Sequence, residues 1–413
     1  MNIKIKPSNL KGKVSAPPSK SMAHRLLMCA GLSDGKSLIK NVDSSEDILA
    51  TIDCLKALGA KIECADDEVE KDILLNPGKD YIVEGRKPSC EDGLILNARE
   101  SGSTLRFFIP IAMTLGKEIT FKGSERLLER PLSVHEEIAK DQNMIFEKST
   151  NELKVKGNLK AGNYKVNGDI SSQFITGLIF ALSLLEEDSE IEIIPPLESR
   201  PYIDMTLKAL KEFDVEASFV SDFKIAVKGS QKYKSREITV EGDYSNAAFL
   251  EAFNLVGDKI QVEGLDPESL QGDKYYKEYF RLIAEEEQSV DISDCPDLGP
   301  ILIAMAAAKK GCCFTGTRRL ALKESNRGKA MKEELSKMGA DMMIFGDDII
   351  VNKAFLHEAD EMLDGHNDHR IVMALTVLAS KLGGTIKGAE AVRKSWPSFF
   401  EVAGKLGLDW EEV

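Results

Sequence analysis

The feature that most constrains this chain is an alternation, repeated six times, between two kinds of helix. The first kind is made of small and apolar residues almost all round, with a polar start. It covers Ser21 to Gly31, Ser103 to Gly116, Gln173 to Leu185, Asn246 to Val256, Leu298 to Ala308 and Arg370 to Leu382. A helix that is apolar on every side has to be buried on every side. The second kind is amphipathic and stops at a turn residue before a strand, as in Leu49 to Ile62 with Leu58-Gly59-Ala60 at the break. It recurs over Glu136 to Phe146, Met205 to Phe219, Tyr275 to Ile292, Ala330 to Ile344 and Phe399 to Trp410. Each copy then holds one buried helix, one surface helix and a small sheet, which is α/β or α+β layering.

Three copies fall on each side of Val240-Glu241-Gly242-Asp243, which places a domain break there. Pro17-Pro18 reads as a second crossing, so the opening strand Asn2 to Lys6 is assigned to the second half. The expected division is residues 1–18 and 241–413 in one domain and 19–240 in the other, joined by a two-strand hinge.

At 413 residues with 43% apolar content, the chain has enough material for two or three ordinary cores. Its formal charge of -14 argues against nucleic acid and anionic membranes as partners. Small anionic substrates held by local basic groups fit better. Seven cysteines form no C-x-x-C pair and several lie in apolar runs, which reads as reduced thiols in the cytoplasm. Met1 to Leu10 has no apolar core or cleavage signal, so no export is implied. No apolar run reaches membrane length. There is no zinc-type cluster of ligands, no phosphate-binding loop, no dinucleotide fingerprint and no G-x-S-x-G elbow. No metal is assigned.

The polar starts of the apolar helices collect the chemistry. They are Ser19-Lys20-Ser21, Glu100-Ser101-Gly102-Ser103, Ser171-Ser172-Gln173, Asp243-Tyr244-Ser245-Asn246, Pro296-Asp297 and Asn367-Asp368-His369-Arg370. The start of a helix presents unpaired N–H groups and a partial positive charge, a ready site for anions. Ser21 and Arg25 share a helix face. Charged loop residues stand before the surface helices: Glu129-Arg130-Pro131, Ser199-Arg200-Pro201-Tyr202, Leu322-Lys323-Glu324-Ser325-Asn326-Arg327 and Lys394-Ser395-Trp396-Pro397.

Taken together, from Pro17-Pro18-Ser19-Lys20-Ser21 to Lys394-Ser395-Trp396-Pro397, these motifs resemble the enolpyruvyl transferases. The nearer branch is the one acting on shikimate 3-phosphate. The resemblance implies an inside-out barrel of two domains, each with three β-α-β-α-β-β repeats around buried parallel helices. It implies phosphoenolpyruvate and shikimate 3-phosphate as substrates, no cofactor, and a cytoplasmic monomer. For shikimate 3-phosphate it implies Ser171, Ser172 and Ser199 on the phosphate, Arg25 and Tyr202 on the carboxylate, and Asp297 and Lys323 on the ring hydroxyls. Lys20, Ser21 and Gln173 are also assigned to binding shikimate 3-phosphate. Lys20, Gly102, Arg130, Gln173 and Lys394 match the enol phosphate pocket, and Arg327 and Arg370 the pair gripping its carboxylate. Asp297 is the expected general base, with Glu324 or Lys20 moving the proton at C3. Domain closure would bring Lys323, Glu324, Arg327, Arg370 and Lys394 over the serines of the other domain.

Three positions depart from the family pattern: Glu100 where Asn is common, Asn326 where Asp is usual, and Ala321 where some members carry Arg. Two rival readings are a transferase for UDP-N-acetylglucosamine and a non-catalytic anion-binding module. The first usually has a reactive Cys where Gly116 to Pro131 has none, and Lys-Asn where this chain has Lys20-Ser21. The second has no use for Asp297 and Glu324 among the cations.

Overall fold

The computed structural model describes residues 1–65, 72–285 and 289–413. The chain divides into two compact units. The first is Lys20–Val69 with Gly78–Val240, and the second is Met1–Ser19 with Glu70–Pro77 and Glu241–Val413. Each unit has its own apolar core.

This division departs from the expected one in two places. Ser19 goes with the second unit, where its N–H donates to the Glu241 carbonyl at 2.8 Å. Glu70–Pro77 also goes with the second unit, so the chain passes between the units four times rather than two. Asn76 gives a physical reason. Its Nδ2 donates to the Ser15 carbonyl at 2.5 Å, and its Oδ1 accepts from Trp396 Nε1 at 3.2 Å.

Twelve helices of eight residues or more alternate along the described residues between buried and surface positions. The odd-numbered ones are buried: α1 Lys20–Gly31, α3 Gly102–Thr114, α5 Ser172–Leu182, α7 Tyr244–Leu255, α9 Gly299–Ala308 and α11 His369–Leu382. The even-numbered ones lie at the surface: α2 Glu46–Ala57, α4 Ser133–Asp141, α6 Arg200–Glu212, α8 Tyr276–Glu285, α10 Arg327–Ser336 and α12 Phe399–Leu406.

The sheets follow one plan. In the first unit Leu94–Asn97 pairs in parallel with Ile119–Lys122, which pairs antiparallel with Glu152–Lys156, and that strand antiparallel with Ile145–Lys148. A parallel pair needs a long crossover, and here the crossover contains the buried helix α3. Asn163–Asn167, Ser189–Ile194, Lys224–Val227 and Ala217–Ser221 repeat this around α5. The third sheet takes its first strand, Glu237–Thr239, from the far end of the unit, and so closes the set.

The second unit repeats the order with Ser289–Asp291, Gly311–Thr315, Asp348–Asn352 and Met342–Phe345. In its next sheet the N-terminal strand Asn2–Lys6 takes the third place, between Gly384–Lys387 and Asp409–Glu412. Among the described residues, the copy containing α7 keeps only the parallel pair Lys11–Ser15 and Lys259–Glu263.

Five of the surface helices stop by a shared device. The residue after the last turn is left-handed at Gly59, Asn143, Asp214, Gly339 and Gly407. The next N–H then reaches back to the last turn, as in Ala60 to the Leu55 carbonyl and Ala340 to that of Leu335. Glycine takes this conformation without strain, and Asn and Asp are the side chains that tolerate it best. Close packing of the buried helices also depends on glycine. A Cβ on Gly177 of α5 would lie 2.2 Å from the Arg106 carbonyl of α3.

Candidate active site

Four of the buried helices, α3, α5, α7 and α11, are capped by side chains from their own polar starts. Ser101 Oγ accepts from Thr104 N at 3.2 Å, Ser171 Oγ from Gln173 N at 3.3 Å, Asp243 Oδ1 from Asn246 N at 2.7 Å and Asp368 Oδ1 from Arg370 N at 3.0 Å. Caps of this kind stabilise a helix by about 1 kcal/mol each. They also fix the loops that carry the charged residues.

In the first unit, Lys20 opens α1 and its Nζ lies 2.7 Å from Asp47 Oδ2 on α2. The starts of α3 and α5 meet through Gln173, whose Nε2 donates to Ser103 Oγ at 3.0 Å and whose Oε1 accepts from Arg106 Nη1 at 2.8 Å. Arg106 also donates to the Pro131 carbonyl at 3.1 Å. Gly102 is where these groups converge: a Cβ there would sit 2.7 Å from Arg130 Nη1 and 2.9 Å from Arg106 Nη1. The bare backbone therefore lets two guanidinium groups approach the first turn of α3.

Arg25 is buried against α6. Its Nε donates to Thr206 Oγ1 at 2.9 Å, Nη1 to the Ser21 carbonyl at 2.7 Å and Nη2 to the Tyr202 carbonyl at 2.8 Å. Burial pulls its pKa down to about 10, against the opposing influence of Tyr202 and Cys29, so it stays cationic near neutral pH. Each Nη keeps a second hydrogen for a ligand. Ser199 is fully buried in a left-handed conformation before α6, Ser172 is buried in the first turn of α5, and Ser21 and Ser171 are half-buried.

The second unit holds a denser cluster. Asp297 lies in a single 3₁₀ turn, Pro296–Leu298, that leads into α9. Its Oδ1 is 3.0 Å from Lys323 Nζ and 2.8 Å from Arg327 Nη1, and its Oδ2 is 3.3 Å from Arg370 Nη2. Arg327 also reaches Glu324 Oε2 at 2.7 Å and Asp368 Oδ2 at 2.8 Å. Arg370 Nη1 donates to Ser245 Oγ at 2.6 Å and to the Asp297 carbonyl at 3.1 Å. The starts of α7, α9 and α11 are thus joined through one guanidinium. Asp297, Glu324 and Asp368 face Lys323, Arg327 and Arg370 in this cluster, and the buried Arg319 acts on Lys323 from beside it. Lys394 is buried and donates to the Asn367 carbonyl at 2.6 Å.

Electrostatics follow from this packing. Burial alone would raise the Asp297 pKa, but Arg370, Lys323 and Arg327 outweigh it and hold the carboxyl well below the usual range. Burial pushes the Lys323 ammonium down to about 8, with Asp297 opposing and Arg319 and Arg327 assisting. Arg327 is held cationic: burial works against it, and Asp368, Glu324 and Asp297 prevail.

Several partners were not singled out in the sequence. Asp47 and Arg106 are among them, and so are Ser245 and Asp368 as side chains that hold a cation. The only sequence signal they carried was polarity at or near a helix start. Asn326, one of the departures, caps α10, its Oδ1 accepting from Lys329 N at 3.1 Å. Among the described residues one group brings three possible metal ligands together, Glu333, Glu334 and His366. Glu334 already accepts from Lys337 Nζ at 2.8 Å and Asp364 N at 2.8 Å, and His366 Nε2 lies 2.8 Å from it. Those donors account for both its oxygens, and this trio is read as a structural network.

The family model for EPSP synthase (3-phosphoshikimate 1-carboxyvinyltransferase) matches residues 4–403. The chain belongs to the EPSP synthase family. A 3-phosphoshikimate 1-carboxyvinyltransferase of Clostridium kluyveri is 41% identical to it, over 99% of this chain and 98% of the relative. Another of the same name from Clostridioides difficile is 38% identical over 98% and 97%. Among solved structures, the EPSP synthase of Acinetobacter baumannii has a TM-score of 0.75 at 21% identity, covering 99% of both chains. The enolpyruvyl transferase NikO from Streptomyces tendae has a TM-score of 0.78 at 10% identity, covering 100% and 98%. These two show a common fold. Among the described residues no helix is long and apolar enough to cross a membrane.

Proposed function

We propose that this chain moves the enolpyruvyl group of phosphoenolpyruvate to the 5-hydroxyl of shikimate 3-phosphate and releases phosphate, a step toward chorismate and the aromatic amino acids. The observation that carries this reading is the full-length match to relatives of that activity. Supporting it, acid and cation side chains suited to the chemistry gather at helix starts in each unit.

The 5-hydroxyl oxygen bonds to C2 of the enol, its proton leaves to a base, and C3 takes a proton. The tetrahedral adduct then loses phosphate from C2 and a proton from C3, restoring the double bond. Asp297 takes the hydroxyl proton. With three cations on it Asp297 is a weak base, but Arg327 and Arg370 also serve the carboxylate of phosphoenolpyruvate. When they turn to that carboxylate they release Asp297, and its basicity rises. Glu324 and Lys20 are the two candidates for the C3 proton. Lys20, Gly102, Arg130, Gln173 and Lys394 hold the enol phosphate, Gln173 by keeping Arg106 and Ser103 in place. Ser171, Ser172 and Ser199 hold the shikimate phosphate, with Ser21 beside them. Arg25 and Tyr202 hold its carboxylate, and Lys323 donates to a ring hydroxyl. Substrates of this charge need no cofactor in this scheme, because the enol phosphate already carries the activated group.

Running the reaction in D₂O tests addition–elimination. The product is expected to be a carboxyvinyl ether carrying deuterium in its vinyl CH₂. A product without deuterium there would reject the scheme.

Two further results are expected. Gly102→Ala places a methyl within 3 Å of two guanidinium groups, so one of them must move. The KM for phosphoenolpyruvate should rise by about tenfold or more, the loss of one charge-assisted bond, while that for shikimate 3-phosphate stays within about twofold. Equal rises in both would remove Gly102 from the enol phosphate pocket.

The second concerns pH. Lys323 loses its proton as pH rises through about 8. Since kcat/KM reports groups of the free enzyme, it should fall about tenfold per unit above that pH. Lys323→Arg should move that limb upward, because guanidinium keeps its proton. An unmoved limb would assign it to another group.

A further inference from the structure

Behind the start of α3 runs a file of four buried polar side chains. His24 Nδ1 lies 2.8 Å from Thr51 Oγ1, Thr51 Oγ1 lies 2.8 Å from Thr104 Oγ1, and Thr104 Oγ1 donates to Ser101 Oγ at 2.7 Å. All four residues are at most 1% exposed. The file joins α1, α2 and α3, since His24, Thr51 and Thr104 stand one on each.

Its direction follows from hydrogen counting. Each hydroxyl has one hydrogen to give. Thr104 spends its own on Ser101, so it accepts from Thr51. Thr51 then has none left for His24, and His24 must donate from Nδ1. His24 Nε2 is buried with no hydrogen-bond partner, and the ring packs edge-on to Phe107 at 6.3 Å between centroids. A bare lone pair in apolar surroundings costs less than a buried N–H with no acceptor, which favours the same tautomer. Burial and the neighbouring charges of Lys20 and Arg25 keep the ring neutral.

The two ends of the file touch the site described above. Ser101 Oγ also accepts from Thr104 N, and Ser101 precedes Gly102. At the other end His24 follows Lys20 by one helical turn. The file also passes close to the residue that holds Lys20, because Thr104 Oγ1 lies 3.4 Å from the Asp47 carbonyl.

We propose that His24, as its Nδ1–H tautomer, is a positioning residue that acts through Thr51 and Thr104 to hold the start of α3, with Gly102, in register with Lys20 and Asp47. The file touches no substrate. Its effect is on the spacing between an ammonium at one helix start and backbone N–H groups at another, and a phosphate held by both is sensitive to that spacing. The proposal rests on the functional reading above for which substrate is affected, but not for the tautomer.

Two measurements test it. Imidazole ¹⁵N NMR of the full chain should show His24 protonated at Nδ1 alone between pH 6 and 8; protonation at Nε2 would overturn the file. The second uses Thr51→Val, which keeps the volume and removes the hydroxyl, and Thr51→Ser, which restores it. The KM for phosphoenolpyruvate should rise about tenfold in the valine variant, the effect of leaving a buried partner unsatisfied. The KM for shikimate 3-phosphate should stay within about twofold, and serine should recover the wild-type value. A valine variant with a lower melting temperature but unchanged KM values would make the file purely structural. Absence of turnover in the wild-type chain would instead fault the functional reading, and the NMR result would still decide the tautomer.

Discussion

Asp297→Asn is expected to lower kcat by about 10²–10⁴-fold, the range for losing a general base. The asparagine keeps the size of the side chain, and its one oxygen can still accept from Lys323 and Arg327, while its NH2 loses the bond from Arg370. What it loses is the capacity to take a proton. The KM values should change less than kcat, because the arginines keep most of their geometry through Glu324, Asp368 and Ser245. A change in KM alone would make Asp297 a binding residue.

Some stability should also be lost, since removing one partner of a buried ion pair costs about 3–5 kcal/mol, and less where solvent reaches the group as it does here. The sign with pH is fixed by the direction of the shift. The folded-state pKa of Asp297 lies below its unfolded value, so its stabilisation is present above about pH 4 and disappears as pH falls through the lower folded value. The asparagine variant should lose that contribution at neutral pH and show a smaller gap from wild type in strong acid.

Lys20→Met is the other large effect. The variant should lose turnover by about 10³-fold, the upper end for removing one preorganised electrostatic contact to a transition state. It also leaves Asp47 without its 2.7 Å ammonium partner at a site where the Asp47 side chain is 11% exposed. Melting temperature should therefore fall along with activity. The double variant Lys20→Met/Asp47→Asn separates the two losses. Removing the orphaned charge should restore most of the melting temperature and none of the turnover. Recovery of both would mean that Lys20 serves the fold and not the reaction.

Much of the architecture was legible in the sequence because the signals are local. The six apolar helices declare themselves by composition, and five of the surface helices end where Gly59, Gly339 and Gly407, or the tolerant Asn143 and Asp214, allow a left-handed residue. What was hidden is non-local. Nothing in Glu237–Thr239 announces that it pairs with Leu38–Lys40. Asn76-Pro77-Gly78 reads as a turn, but nothing in it says that the chain changes unit there; the reason lies in Asn76 and its bonds to Ser15 and Trp396, the latter 320 positions away.

The candidate site divides in the same manner. Lys20, Asp297 and Arg370 could be named from the chain because charge at the start of an apolar helix stands out, and Arg327 because it closes a charged loop before a surface helix. Their partners could not. Asp47 meets Lys20 across 27 positions, Gln173 meets Arg106 across 67, and Ser245 meets Arg370 across 125. Nor could spacing show that Asp297 is surrounded by three cations and so is a poor base until some of them are drawn away.

Release of inorganic phosphate from phosphoenolpyruvate, followed with shikimate 3-phosphate and UDP-N-acetylglucosamine offered separately, tests the central claim most directly. Steady release is expected with shikimate 3-phosphate alone, and its loss in Asp297→Asn and Lys20→Met. Release with UDP-N-acetylglucosamine instead, or with neither acceptor, would contradict the account.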